Sequence, residues 1–189
     1  MGPLDERIFI PLLLHARNEG WERGYIHQLL EQLGLPELVY HPGYRLRVRT
    51  LGGFQVWRGA EAIPANGWRR EKSRQLFQLL LVFRYVSLDR DQICEFLWPE
   101  ADPLTAQRNF KIALSTLFQV LEPEHNAGEE CAYILRDGSA YSLRPGADFW
   151  LDADQFLLAG KRAGRAGVHG LDDLLKAVEL YQGAFLPDI

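Results

Sequence analysis

The sequence lacks the features of a membrane or disulfide-bonded protein. It has no run of about 18 apolar residues, the length needed to cross a bilayer, and no basic-then-apolar leader. It has only two cysteines, Cys94 and Cys131, whose separation fits neither a metal site nor a redox pair. The sequence therefore predicts a cytoplasmic protein, not associated with a membrane, of one medium domain or two small ones.

The sequence also lacks the patterns on which catalysis commonly depends. It contains no glycine-rich phosphate loop, no nucleophile elbow and no prominent carboxylate pair, and its five histidines are scattered. We therefore expect no catalytic residue, no cofactor and no metal ligand.

Excess positive charge is absent as well, because the formal net charge of the chain is −4. The charge is nevertheless uneven along the chain. Residues 44–145 carry fourteen basic and twelve acidic side chains, whereas the segments before and after them each have a net charge of −3. Only the middle of the chain can present a basic face to nucleic acid, and composition permits this without requiring it.

The strongest helix signal begins at Asp102, an N-cap carboxylate that Pro103 follows at the first helical position. Apolar residues then recur at helical spacing as far as Leu121, which predicts one buried stripe. The rest of the helix carries cations and short hydrogen-bonding groups, a combination that suits the major groove of DNA. The candidate contacts on this helix are Thr105, Arg108, Asn109, Lys111, Ile112, Ser115 and Gln119.

A small sheet and a first helix are predicted before this segment. Apolar and basic residues alternate at Leu46–Arg49, and two further short strands follow as far as Ile63, which indicates an antiparallel sheet. The next helix should begin basic and become apolar almost all round, as a core helix does. Its basic cluster, for which phosphate contact and simple solvation are both reasonable, is Arg69, Arg70, Lys72 and Arg74.

A second helix and a hairpin complete the predicted middle domain. Asp89 and Gln92 predict a capping box at the start of a helix that ends at Leu97 and turns Phe96 inward. Two helices joined by a short turn, the second with a cationic face, are typical of a helix-turn-helix. Asp-Gly between apolar runs predicts a hairpin wing over residues 132–143, with Arg136 beside its tip.

Helical pairs are predicted at both ends of the chain, over residues 4–33 and 152–182, with a linker at 37–43. Neither pair can hide its apolar stripe alone. We therefore expect both pairs to pack on each other or on the middle domain.

Four segments of the chain, taken in order, resemble the DNA-binding domain of Streptomyces antibiotic regulatory protein (SARP)-type activators. They read LRVRTLGGFQVWRG, RREKSRQLFQLL, DRDQICEFLWPEADPLTAQRNFKIALSTL and AYILRDGSAYSL. That domain is similar to the winged helix of OmpR-type response regulators. Residues 150–156 and 180–187 resemble the start of a bacterial transcriptional activation domain (BTAD), and the N-terminal pair resembles the end of a MalT-like helical region.

The resemblance implies an α+β winged helix-turn-helix flanked by helical hairpins. Its implied domains are a hairpin and linker at 1–43, the winged helix at 44–146 and the first BTAD helices at 147–189. It implies a transcriptional activator with its recognition helix, residues 103–121, in the major groove, its wing near the minor groove and its basic cluster near the backbone. The 99–102 loop would touch RNA polymerase.

One departure from the family bears on affinity for double-stranded DNA. Late in the recognition helix, where relatives carry arginines, this chain has Thr116, Phe118 and Gln119, so Arg108 and Lys111 are its only cations. We therefore expect one copy to bind weakly and tight binding to need a dimer or multimer on DNA. The alternative is a protein-protein interaction module of a larger regulator, with little DNA affinity of its own.

Overall fold

The computed structural model describes residues 6–35, 41–124, 128, 130–166 and 169–187. In chain order the helices are α1 (Glu6–Asn18), α2 (Arg23–Gln32), α3 (Glu71–Val82), α4 (Arg90–Leu97), α5 (Pro103–Leu121), α6 (Asp152–Ala166) and α7 (Leu171–Leu180). The strands are β1 (Leu46–Arg49), β2 (Gln55–Arg58), β3 (Glu61–Ala62), β4 (Leu88–Asp89), β5 (Ile134–Asp137), β6 (Ala140–Leu143) and β7 (Phe149–Leu151). None of the helices in these ranges has the length and apolar character that a bilayer crossing requires.

The chain forms two compact units, each made of two separate segments. The first unit contains residues 1–44 and 64–148, and the second contains residues 45–63 and 149–189. The predicted α+β winged-helix fold is confirmed: α3, α4 and α5 and the sheet β4-β6-β5 form it in the first unit. Most of the linker predicted at 37–43, and the first residues of the helix predicted at 4–18, lie outside the described residues.

Helix α5 has the start and the buried stripe that the sequence predicts. The Asp102 carboxylate accepts hydrogen bonds of 3.1 Å from the backbone amides of Leu104 and Thr105. Phe110 is buried and meets the ring of Tyr141 on β6 edge to face, with 5.0 Å between ring centroids. This contact packs the predicted recognition helix against the predicted wing. The buried stripe is Ala106, Phe110, Ala113, Leu114, Leu117, Val120 and Leu121.

Helix α4 begins as predicted but differs on its inner face. The Asp89 side chain accepts from the backbone amide of Asp91, and Gln92 bonds back to the amide of Asp89, so the capping box is confirmed. The prediction that Phe96 faces inward is wrong, since 55% of this residue is exposed. The centroid of its ring instead lies 5.7 Å from that of the Phe83 ring.

Helix α3 starts later than its sequence indicates. A short 3₁₀ turn at Ala65–Trp68 precedes it, and Trp68 is buried against the ring of Phe77. Arg69 has a left-handed backbone with φ of 57°, and α3 begins only at Glu71. The prediction that all four cations lie in the first turn is therefore corrected: Arg69 and Arg70 precede the helix, and Glu71 opens it.

The N-terminal helices α1 and α2 share an apolar cluster. Its buried members, all from this hairpin, are Ile10, Leu13, Leu14, Ile26, Leu30 and Leu35. The expectation that this pair cannot hide its stripe alone is therefore too strong, because the main apolar side chains cluster with one another. Trp21 and Tyr25 remain more than half exposed.

The second unit is built on a four-stranded sheet of order β3-β2-β1-β7. The predicted antiparallel strands β1, β2 and β3 are confirmed, but β7 adds a fourth strand that runs parallel to β1. Val48 pairs with Val56 on one side and Leu151 on the other, and all three are buried. The domain boundaries at 43 and 146 remain predictions. By contacts, residues 45–63 group with 149–189 and not with the rest of the predicted middle domain.

A buried carboxylate joins the sheet to α6. Asp152 is 2% exposed, and it accepts hydrogen bonds from the backbone amides of Thr50, Leu51 and Ala153 and from the Thr50 hydroxyl. All four donors lie 2.7–2.8 Å from a carboxylate oxygen.

Helices α6 and α7 pack through small residues, but they leave several large apolar side chains exposed. These are Leu157, Leu158, Leu171, Leu174, Leu175 and Val178.

Candidate nucleic-acid interface

The outer face of α5 carries the two cations of the predicted recognition helix. Arg108 and Lys111 are both exposed, and neither makes a hydrogen bond or ion pair with any residue that the structure describes. Ser115 is exposed beside them, and Ile112 is 37% exposed. This face therefore offers free donors and one apolar side chain to a partner, as major-groove recognition requires.

The far end of this face is organised by a contact that joins two candidate residues. The Arg69 guanidinium donates to the Gln119 side-chain oxygen over 2.9 Å. Gln119 therefore keeps its amide NH₂ as the group available to a partner. Sequence spacing gave no signal for this bond, because the two residues are 50 positions apart.

Lys72 holds a structural position between α3 and α4. Its ammonium donates to the backbone carbonyl of Leu97 over 2.7 Å and lies 5.8 Å from the ring centroid of Trp98. It therefore satisfies a carbonyl at the end of α4, where the helix leaves such groups without intrahelical partners. A protonated lysine has two further donors, so phosphate contact by Lys72 stays a prediction.

A shallow cavity of about 360 Å³ opens beside α5 and brings several predicted residues together. Its lining includes Arg70, which immediately precedes α3, and Lys72 in the first turn of α3. Asn109 and Ile112 line it from α5. Arg70 is exposed, and its side chain has no partner in the described parts of the chain. Glu71, however, lines the same cavity and reduces its positive charge.

Arg74 is the least available member of the basic cluster. Its guanidinium makes a two-pronged contact with the Glu71 carboxylate at 2.9–3.2 Å. An arginine that is already paired has less charge to offer to a phosphate. The sequence did not separate Arg74 from its neighbours, although the i,i+3 spacing to Glu71 was a usable signal.

The wing is tied to the start of α4 rather than free. The Ser139 hydroxyl donates to Asp89, and the amide of Arg90 donates to the carbonyl of Ser139. The bond from Ser139, together with the backbone amide of Asp91, lowers the pKa of the Asp89 carboxyl. Arg136 lies exposed at the tip, where its Nε donates to the carbonyl of Gly138. The wing therefore presents one cation from a fixed turn.

The loop at 99–102 leads directly into α5. The Thr105 hydroxyl, and after it the backbone amides of Thr105 and Leu104, lower the pKa of the Asp102 carboxyl. The cap therefore remains ionised where an ordinary aspartate would begin to take up a proton. Trp98, Pro99 and Ala101 line a second shallow cavity of about 330 Å³ next to this loop.

Comparison with known proteins gives a likeness of structure but not of sequence. No protein-family model matches the chain, and no curated protein matches it. Among solved structures, the chain is similar to Mycobacterium tuberculosis EmbR in complex with a low-affinity phosphopeptide. The TM-score is 0.62 with 21% sequence identity, and the match covers 77% of this chain and 38% of the EmbR chain. The likeness shows an α+β winged-helix fold similar to that in the EmbR chain.

Proposed function

We propose that this protein is a sequence-specific, double-stranded-DNA-binding transcriptional regulator of the SARP type, and an activator. Its α5 helix would enter the major groove, its wing at residues 132–143 would approach the minor groove, and Arg69 and Arg70 would lie near the backbone. The observation that carries the proposal is the free outer face of α5, where Arg108 and Lys111 have no partner among the described residues.

The individual contacts divide into two kinds. Arg108 is proposed to read a base edge, because a guanidinium can bond two acceptors of guanine at once. Arg70, exposed and unpaired, is proposed to contact a phosphate, which adds affinity without sequence preference. With so few free cations, one copy should bind weakly. Two copies on half-sites about one helical turn apart would restore tight binding.

RNA polymerase is the second proposed partner, through the 99–102 loop. Pro99 and Glu100 are exposed there, and the loop is held at its end by the Asp102 cap. A rigid exposed loop beside a DNA-bound helix can contact a neighbouring protein without a large ordering cost.

The test is a salt titration of DNA binding by wild type, Arg108→Ala and Arg70→Ala. A preferred duplex is first selected with the wild-type protein from a random pool, and a scrambled duplex serves as reference. Arg108→Ala should lose about 1–3 kcal/mol on the preferred duplex and little on the scrambled one. Arg70→Ala should weaken both alike and reduce the salt slope by about 0.9. Arg162→Ala on α6, also an exposed arginine, is the matched control.

If Arg108→Ala and Arg70→Ala both bind every duplex as the wild type does, the α5 surface does not hold DNA. The alternative function, a protein-protein interaction module with little DNA affinity, would then be preferred. The exposed leucines of α6 and α7 are the observation that favours it.

A further inference from the structure

The outer face of the β3-β2-β1-β7 sheet carries an arginine between two tryptophans. In the strand register, Arg47 on β1 pairs with Trp57 on β2 and with Trp150 on β7. Its guanidinium carbon lies 4.4 Å from the ring centroid of Trp57. Such stacking holds the planar guanidinium in place while its edge stays open to an anion.

Arg47 and Arg49 differ from Arg58 in the same sheet, which has a carboxylate partner. The Arg58 guanidinium donates to the Glu61 carboxylate over 3.0 Å. Arg47 and Arg49 are exposed, and neither has a carboxylate partner in the parts of the chain that the structure describes. Two unpaired guanidiniums two residues apart on one strand project from the same side of the sheet.

These side chains line a groove of about 280 Å³ within the second unit. Leu180 and Gln182, from the end of α7, form its other wall together with Glu179. Asp152 also contributes to the wall, but its carboxylate is filled by four donors and has little left to offer a ligand. The groove therefore combines two available cations, two indole surfaces and one exposed carboxylate.

We propose that this groove binds an acidic protein segment in an extended conformation. Carboxylates two residues apart on an extended chain repeat at about 6.6 Å, the spacing of Arg47 and Arg49 along β1. Arginine forks match carboxylates in geometry, so Arg47 and Arg49 could each hold one of the two acids. The small volume disfavours a DNA backbone, which needs a longer strip of cations.

The experiment measures binding of a fluorescein-labelled peptide to the 189-residue chain by fluorescence anisotropy. The probe is a nine-residue peptide in which glutamates alternate with leucine and serine, and the same peptide with lysine in place of glutamate is its control. Arg47→Ala and Arg49→Ala should each weaken binding of the acidic peptide about tenfold, the size of one charge-assisted hydrogen bond. Arg165→Ala, which removes an exposed arginine of α6 outside the groove, should not change it.

Each other result counts against the proposal. It is overturned if the wild-type chain does not bind the acidic peptide, or if it binds the lysine peptide with equal affinity. It is also overturned if Arg47→Ala and Arg49→Ala bind the acidic peptide like the wild type. Displacement of the peptide by a random duplex would assign the groove to nucleic acid instead. Arg108→Ala separates this site from the proposed DNA interface, because it should leave peptide affinity unchanged. If Arg47→Ala fails to fold, Arg49→Ala alone tests the proposal, provided that its unfolding curve matches that of the wild type.

Discussion

Lys72 offers a test of whether the basic cluster before α5 serves stability, DNA binding or both. Lys72→Met keeps most of the apolar stem and removes the ammonium that bonds the Leu97 carbonyl at 2.7 Å. A hydrogen bond from a charged donor stabilises by about 1.5–3 kcal/mol. Because Lys72 is partly exposed, solvent screening reduces this to about 1–2 kcal/mol, and the cation-π contact near its outer distance limit adds little.

The measurement is urea and thermal unfolding followed by circular dichroism. For a chain of this length, the expected loss lowers the melting temperature by about 2–8 °C. Lys161→Met, which removes an exposed lysine of α6, is the control and should melt like the wild type. If Lys72→Met also melts like the wild type, the bond to Leu97 contributes no stability and the reasoning fails. If Lys72 contacts a phosphate in addition, the salt slope of DNA binding falls by about 0.9 in this variant.

Three further outcomes follow from the structure of the winged helix. Phe110→Ala should lower the free energy of unfolding by about 3–5 kcal/mol, measured in urea, because it empties a core position against Tyr141. Asp102→Ala should lower the melting temperature above about pH 5, and the difference should vanish as the pH falls through the lowered folded-state pKa of Asp102. Cys131 should react with iodoacetamide only on unfolding, followed by mass spectrometry, because burial and then Glu122 raise the pKa of its thiol.

Local signals explain what the sequence predicted well. The Asp102-Pro103 start of α5, the Asp89 capping box and the Asp137-Gly138 turn each depend on residues within a few positions of one another. A local contact of this kind needs the same residue types at the same spacing in any fold, so it can be recognised from the sequence alone. Helix α5 and the wing were therefore predictable almost to their ends.

Distant pairings explain what the sequence did not reveal. Strand β7 was missed because three residues before a helix carry no clear period, and its partner β1 lies about 100 positions earlier. The bonds from Arg69 to Gln119 and from Lys72 to Leu97 depend on how helices pack, which no spacing along the chain encodes. The candidate interface could therefore be named by residue type, but the division of its cations into free and engaged ones required the structure.

The parallel pairing of β1 with β7 has a consequence for synthesis on the ribosome. Translation proceeds at about 5–20 residues per second, so β1 emerges roughly 5–20 s before the strand that completes its sheet. During that interval the β1 edge, with Leu46 and Val48 facing an unfinished core, has no partner on the side that Phe149–Leu151 later occupies. A nascent chain that stalls between residues 63 and 149 would expose a strand edge able to pair with another chain.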